Sequence, residues 1–351
     1  MKAEWKEFLE NRGAEFDGNG ITGFGNSKRE TQMVYSGDVM VDLSHFGLVS
    51  AHGDDSESFL QGQVTCDCTK VTSKSSQLAA ICNQKGRVMT FMRLFQQNST
   101  LYLHMPADRI EDTLSRLRMY IMRAKTTLED VSDNFVSIGL SGPNAESLLQ
   151  SSQITVPDNV NDSTQKEGLC IIRVAGPHPR FILFGTLDVM KKLWTELDVH
   201  AAPAGPSVWQ LLDIQSGIPV IYTSTSELFV PQMINLQIID AINFKKGCYT
   251  GQEVVARMQY LGKLKKQMYI ANITDSDAPL PGTKLYSAAY SETQSCGQIV
   301  NAQITADGSH DVLAVVDIKA HTSGDVHLEK ISGPELGFKT LPYAFPVQAE
   351  N

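Results

Sequence analysis

Ile110, Leu114, Leu117 and Ile121 recur at helical spacing within residues 106–123, while Arg116, Arg118 and Arg123 fall largely off that stripe. The period predicts an amphipathic helix with a solvated arginine side. Upstream, residues 40–50 alternate apolar positions as a strand does, with Phe46 inside the run, and a turn at 52–55 precedes a short helix over 56–61. Two apolar runs, 78–81 and 88–95, flank Gln84-Lys85-Gly86-Arg87 and predict a hairpin with both cations in its turn. Residues 135–140 read as a strand, after which Ser141-Gly142-Pro143-Asn144 opens a helix reaching Leu149. The polar stretch 150–168 predicts a linker, and from Cys170 a strand, turn, strand and helix repeat the same alternation to residue 197. A short helix over 208–215 begins at Trp209 and stops before Gly217 and Pro219. Beyond residue 268, short strands with turn signals at 279–282, 307–308 and 323–324 predict a small β-barrel or sandwich.

Strands and helices alternating around antiparallel turns predict an α+β protein. A chain of 351 residues implies two or three packed units. The pattern divides it into a Gly- and Asn-rich, loosely packed arm over 1–30, an α+β unit over 31–150, a second over 151–265, and a β-barrel-like unit over 266–351 ending in an exposed tail from 342. With 42% hydrophobic and 20% charged residues, the composition is that of a soluble globular protein. Acids stand where a secretory signal would need an apolar run, and no stretch is long enough to span a membrane, so the expected location is cytoplasmic. Six scattered cysteines form no disulfide framework and agree with a reducing compartment. Cys66 and Cys68 make a lone CxC with no second pair, so no metal is assigned.

The densest chemistry lies in Phe244-Lys245-Lys246-Gly247-Cys248-Tyr249-Thr250-Gly251-Gln252-Glu253. Gly247 and Gly251 bracket Cys248, which predicts a turn with unusual dihedrals or a backbone that something approaches closely. Cations just upstream favour a thiolate, so Cys248 is the candidate functional thiol and Lys246 its candidate activator. A small buried hydrophobe is the competing reading of any single cysteine. Although the whole chain carries −9, residues 245–266 hold six cations against the single acid Glu253, a local balance of +5. Such an island points to an anionic ligand or partner contacted locally, although solvation suffices to explain Lys263, Lys265 and Lys266.

The run KKGCYTGQE followed by Val254-Val255-Ala256-Arg257 resembles the signature of the YgfZ family, folate-binding proteins related to the glycine-cleavage T-protein. The resemblance extends to Phe59-Leu60-Gln61-Gly62-Gln63-Val64-Thr65 with Asp67, to Asn83 with Lys85-Gly86-Arg87, to Gly217-Ile218-Pro219, and to Pro231-Gln232 with Asn235-Leu236-Gln237. These blocks spread over residues 42–262, and the last stretch agrees in type only. The resemblance implies a T-protein-like fold, a bound tetrahydrofolate or other reduced folate, and support of iron–sulfur enzymes, tRNA-modifying ones among them. It places the folate between Phe46 and Trp209, at positions where the family has two tryptophans. Lys85 and Arg87 are candidates to meet ligand carboxylates. Glu253 and Arg257 are candidates to orient the Cys248 loop or touch a partner, whether an iron–sulfur enzyme or an assembly factor. Two departures weigh against the T-protein's own aminomethyl transfer. No carboxylate occurs in Gly86-Arg87-Val88-Met89-Thr90-Phe91, where T-proteins carry an aspartate that activates the amine. Gln215 stands where they carry a glutamate that holds the pterin. An accessory factor is therefore expected before a folate-dependent transferase. Direct nucleic-acid binding is not expected, because basic-aromatic interleaving is absent.

Overall fold

A computed structural model describes residues 1–18, 20–274 and 276–345. Three sheets carry the architecture. In the five-stranded antiparallel sheet the strands run Gln77–Cys82, Val88–Gln97, Thr100–Pro106, Phe46–His52, Thr127–Asp130. One face packs on the helices Ser56–Gln61 and Ile110–Arg118. The second sheet runs Ser163–Lys166, Leu169–Val174, Arg180–Gly185, Val136–Ser141, Val39–Asp42, Ala202–Ala204, with only the last pair parallel. It buries one face under Ala3–Glu10, Ala145–Ser151 and Leu187–Leu197. The free faces of these two sheets converge on the helix Pro206–Gln215, whose apolar residues join Phe95, Ile172 and Phe184 in a shared core. A third sheet, of six strands between Lys266 and Lys339, curls as a half-barrel and packs against the hairpin 78–91 and the segment 214–242. Asn301, at a bulge in this sheet, accepts from Val220 N–H and donates to Val220 O, both at 2.9 Å, so its amide acts as a backbone rung docking the half-barrel.

Several expected elements take a different form. The run 40–50 is two strands in different sheets, Val39–Asp42 and Phe46–His52, joined by a turn closed by Phe46 N–H on Leu43 O at 2.9 Å. The arm is not loose. Trp5 and Leu9 are fully buried, Trp5 donates its indole N–H to Asp42 Oδ1 at 2.8 Å, and the buried Glu30 carboxylate accepts from Phe24 and Gly205 N–H. Burying those two apolar side chains alone contributes roughly 4–5 kcal/mol. The helix anticipated over 106–123 spans only Ile110–Arg118, because the chain reverses and Met122 takes positive φ, although Ile121 still packs on the same core. The stretch 150–168 contains the edge strand Ser163–Lys166, and Arg173 ties down the carbonyls of Pro157 and Asp158. A short helix, Ile318–Ser323, interrupts the β-rich region. Of the tail, Tyr343 is anchored by its hydroxyl to Gly217 O at 2.8 Å, and residues 346–351 lie outside those described.

Candidate functional site

Gly251 is the left-handed N-cap of the helix Gln252–Tyr260, and its φ of +83° suits glycine alone. A methyl group there would lie 2.4 Å from Asn83 O and 3.1 Å from the Cα of Gly86, so the turn 83–87 and the cysteine loop meet glycine to glycine. Gly247 has no such constraint: it has open space around it and no positive φ. Behind the loop, Asn243 N–H donates to Thr65 O at 2.9 Å and Thr65 Oγ1 to Ala241 O at 2.7 Å. Lys246 Nζ donates to the carbonyls of Val64 and Cys66 at 2.8 and 2.6 Å. Burial pulls the Lys246 ammonium below its ordinary range. Its hydrogen bonds make it a clamp between two chain segments; the expected role of thiolate activator finds no contact in its support. Gln232 Nε2 ties the helix down by donating to Val255 O at 2.7 Å. Held by these partners, Cys248 is exposed, whereas the other five cysteines are buried. That removes the packing reading of Cys248.

The second feature is a cavity of about 480 Å³ between the first two sheets, the helix Pro206–Gln215 and the segment around Tyr343. Phe46, Phe91, His104, Ile182, Trp209 and Tyr343 supply aromatic and aliphatic wall. Phe46 stacks on His104, ring centres 4.8 Å apart. Trp209 is nearly fully buried: its ring fits against Gly139, where a methyl would come within 2.3 Å, and the Arg180 guanidinium covers it at 3.6 Å. Arg180 pairs with Asp213 at 2.8 Å, one turn along from Trp209. Burial raises the Asp213 carboxyl above its usual range, and Arg180 opposes that shift. Because a guanidinium does not release its proton, the pair stands as an ion pair inside an apolar chamber. Arg93 is a second buried guanidinium on the wall, with burial pulling it down to about 10.

A model of the GCVT N-terminal domain family matches residues 11–166. The chain is 34% identical to the tRNA-modifying protein YgfZ of Colwellia psychrerythraea over 309 residues, which cover 87% of this chain and 93% of that one. The chain belongs to the YgfZ family. YgfZ proteins of Photorhabdus laumondii and Sodalis glossinidius are 31% and 30% identical, each again over 87% of this chain. The YgfZ chain also superposes on the aminomethyltransferase T of the Bartonella henselae glycine cleavage system with a TM-score of 0.79, covering 96% of both chains at 15% identity. At that identity the likeness establishes the T-protein fold and nothing about chemistry.

In this YgfZ chain the expected site residues fall into two groups. Phe46, Trp209 and Gln215 line the cavity, Gln215 hydrogen-bonded to Tyr35 at 3.2 Å. Cys248, Lys246, Glu253 and Arg257 lie on the loop and its helix, where Glu253 and Arg257 pair with each other at 2.8 Å in the open. Such an exposed i,i+4 pair contributes only a few tenths of a kcal/mol. Lys85 and Arg87 belong with this second group: both are exposed in the turn beneath Gly251, and Arg87 Nη1 donates to Leu228 O at 2.6 Å. Neither lines the cavity. Residues 86–91 carry no carboxylate: beyond the exposed Arg87 their one polar side chain is Thr90, whose hydroxyl bonds Thr113 at 2.9 Å. Sequence reasoning missed Arg93, His104, Arg180 and Asp213. Their signal was a solitary charged or imidazole side chain inside an apolar run, or for Arg180 at the head of one, a pattern that burial makes expensive unless something repays it. No helix among the described residues is long and apolar enough to cross a membrane.

Proposed function

We propose that this protein binds tetrahydrofolate, or another reduced folate, in the central cavity and supports iron–sulfur enzymes, including those that modify tRNA, through the exposed thiol of Cys248. The observation that carries the folate half is a cavity whose volume lies within the ~300–1,000 Å³ of small-molecule sites, walled by rings and holding one buried carboxylate. Those residues fit the ligand. A pterin or aminobenzoyl ring gains offset stacking on Phe46, and N–H groups on a pterin edge suit the free oxygen of Asp213, a role Gln215 at the cavity wall fills less strongly. Arg180 lies over Trp209, so the ligand meets the guanidinium rather than the indole face. The thiol half rests on Cys248 being the one exposed cysteine, on a loop braced by three other segments. The relatives' name, tRNA-modifying protein, agrees with an indirect effect through iron–sulfur enzymes that act on tRNA. Amine transfer is disfavoured because no carboxylate occupies residues 86–91 to act as base.

Complementation tests the reading. In cells lacking the protein, Cys248→Ser and a cavity-filling Ala175→Phe on the cavity wall should each fail to restore iron–sulfur enzyme activity. Wild-type levels of rescue by both would refute it.

A further inference from the structure

The cavity holds two buried guanidiniums, Arg93 and Arg180, and one buried carboxylate, Asp213, which is taken by Arg180 at 2.8 Å. Arg93 makes no direct ion pair, although the Asp213 carboxylate lies near enough to favour its charge. Its Nη1 donates to Ser76 Oγ at 2.8 Å and Asn161 Oδ1 at 2.7 Å, both neutral, and among the described residues Nε and Nη2 donate to nothing. Directly across the sheet, register pairs Arg93 with His104, whose Nε2 is buried with no hydrogen-bond partner. One carboxylate facing two guanidiniums leaves a positive charge in excess, and an uncompensated charge in an apolar interior costs several kcal/mol, far more than two neutral hydrogen bonds return. Nε and Nη2 form one edge of the guanidinium, the edge that takes a carboxylate side-on through two parallel N–H donors. With burial and the neighbouring Arg93 holding the His104 imidazole neutral, one of its nitrogens can donate and add no second charge.

We infer that Arg93 and His104 form a carboxylate subsite within the cavity, so that the ligand is anionic at this end and the cavity is electrically complete only when loaded. This rests on the folate reading to the extent that, in a folate, the carboxylates belong to the glutamyl tail. The subsite then places the tail carboxylate at Arg93.

Calorimetry on the full chain with three probes tests the assignment: tetrahydrofolate, p-aminobenzoylglutamate, which keeps the tail and lacks the pterin, and 6-methyltetrahydropterin, which keeps the pterin and lacks the tail. Arg93→Met should weaken the two anionic probes by about 10- to 100-fold and leave the tail-less pterin within about twofold, the loss expected for one charge-assisted pair. Arg93→Lys, which keeps the charge and loses the fork, should fall between, and it carries the test alone if Arg93→Met does not fold. Equal losses for all three probes, or no loss for the anionic two, would overturn the subsite, as would a wild-type protein that binds neither anionic probe. Arg93-dependent binding of p-aminobenzoylglutamate, with tetrahydrofolate binding no more tightly, would uphold the subsite and refute the folate reading instead.

Discussion

Gly247, one residue before the thiol, and Gly251, three residues after it, look alike in sequence, yet the structure assigns them opposite sensitivities. Alanine at Gly251 must hold φ near +83°, which costs about 1–2 kcal/mol for a residue with a Cβ. Its methyl would also sit 2.4 Å from Asn83 O and 3.2 Å from Cys82 Cβ, and neither a backbone oxygen nor a buried side chain yields cheaply, adding about 1–3 kcal/mol of overpacking. The sum is about 2–5 kcal/mol. Alanine at Gly247 meets nothing within 4 Å and needs no positive φ, so its effect should stay within about 0.5 kcal/mol. Equilibrium urea unfolding of both variants against wild type reads the difference directly. Amide exchange should show the excess loss of protection in Gly251→Ala at Gln252–Tyr260, because the N-cap is what moves. If both substitutions cost the same, or Gly251→Ala is neutral, the close approach of the two turns is wrong, and with it the placement of Cys248 beside the turn 83–87.

Three other outcomes follow from the same geometry. A thiol reagent at neutral pH should titrate one cysteine in the native protein and six after unfolding, since burial pushes the Cys82 and Cys170 thiols up to about 12 and Cys296 to about 11 while Cys248 is open to solvent; more than one fast native thiol would contradict this. For His104, burial and Arg93 bring the folded pKa down to about 3 from an unfolded value near 6.5, so its neutral form is stabilising above that value and stability is lost as pH falls toward 3, about 2 kcal/mol of it between pH 7 and pH 5. His104→Asn should remove that part of the slope in urea midpoints measured at the two pH values, and an unchanged slope would count against a buried neutral imidazole. Trp5→Ala, with a fully buried ring edge-on to Trp194, should cost about 3–5 kcal/mol, and a loss under 1 kcal/mol by urea unfolding would restore the view of a loose arm.

Local signals in the chain were read well where local chemistry decides. The helix Ser56–Gln61 has the bounds its turn and spacing predict, and the hairpin turn holds Lys85, Gly86 and Arg87 between the expected strands. The break between Val39–Asp42 and Phe46–His52 was hidden because the apolar alternation runs through it with no Gly or Pro to mark the change of sheet. The arm was misread because its Gly-rich composition is local and its anchors are not: the partner of Trp5 is 37 residues away, and Glu30 reaches Gly205 across 175. The same holds for the cavity. Arg93 and His104 come from neighbouring strands of one sheet, Arg180 from another sheet, and Asp213 from the helix between them, so no spacing along the chain announces that they share one space. The cysteine motif was legible as a site because its residue types have few structural uses together. That its second lysine clamps Val64 and Cys66 needed the tertiary structure.

The most direct measurement is a crystal structure of the protein soaked with tetrahydrofolate. The account predicts ligand density in the cavity beside Phe46 and Arg180, with a tail carboxylate within hydrogen-bond distance of Arg93, and with Cys248 on a separate, unliganded loop. Density against the cysteine loop instead, or an empty cavity at saturating ligand, would contradict it.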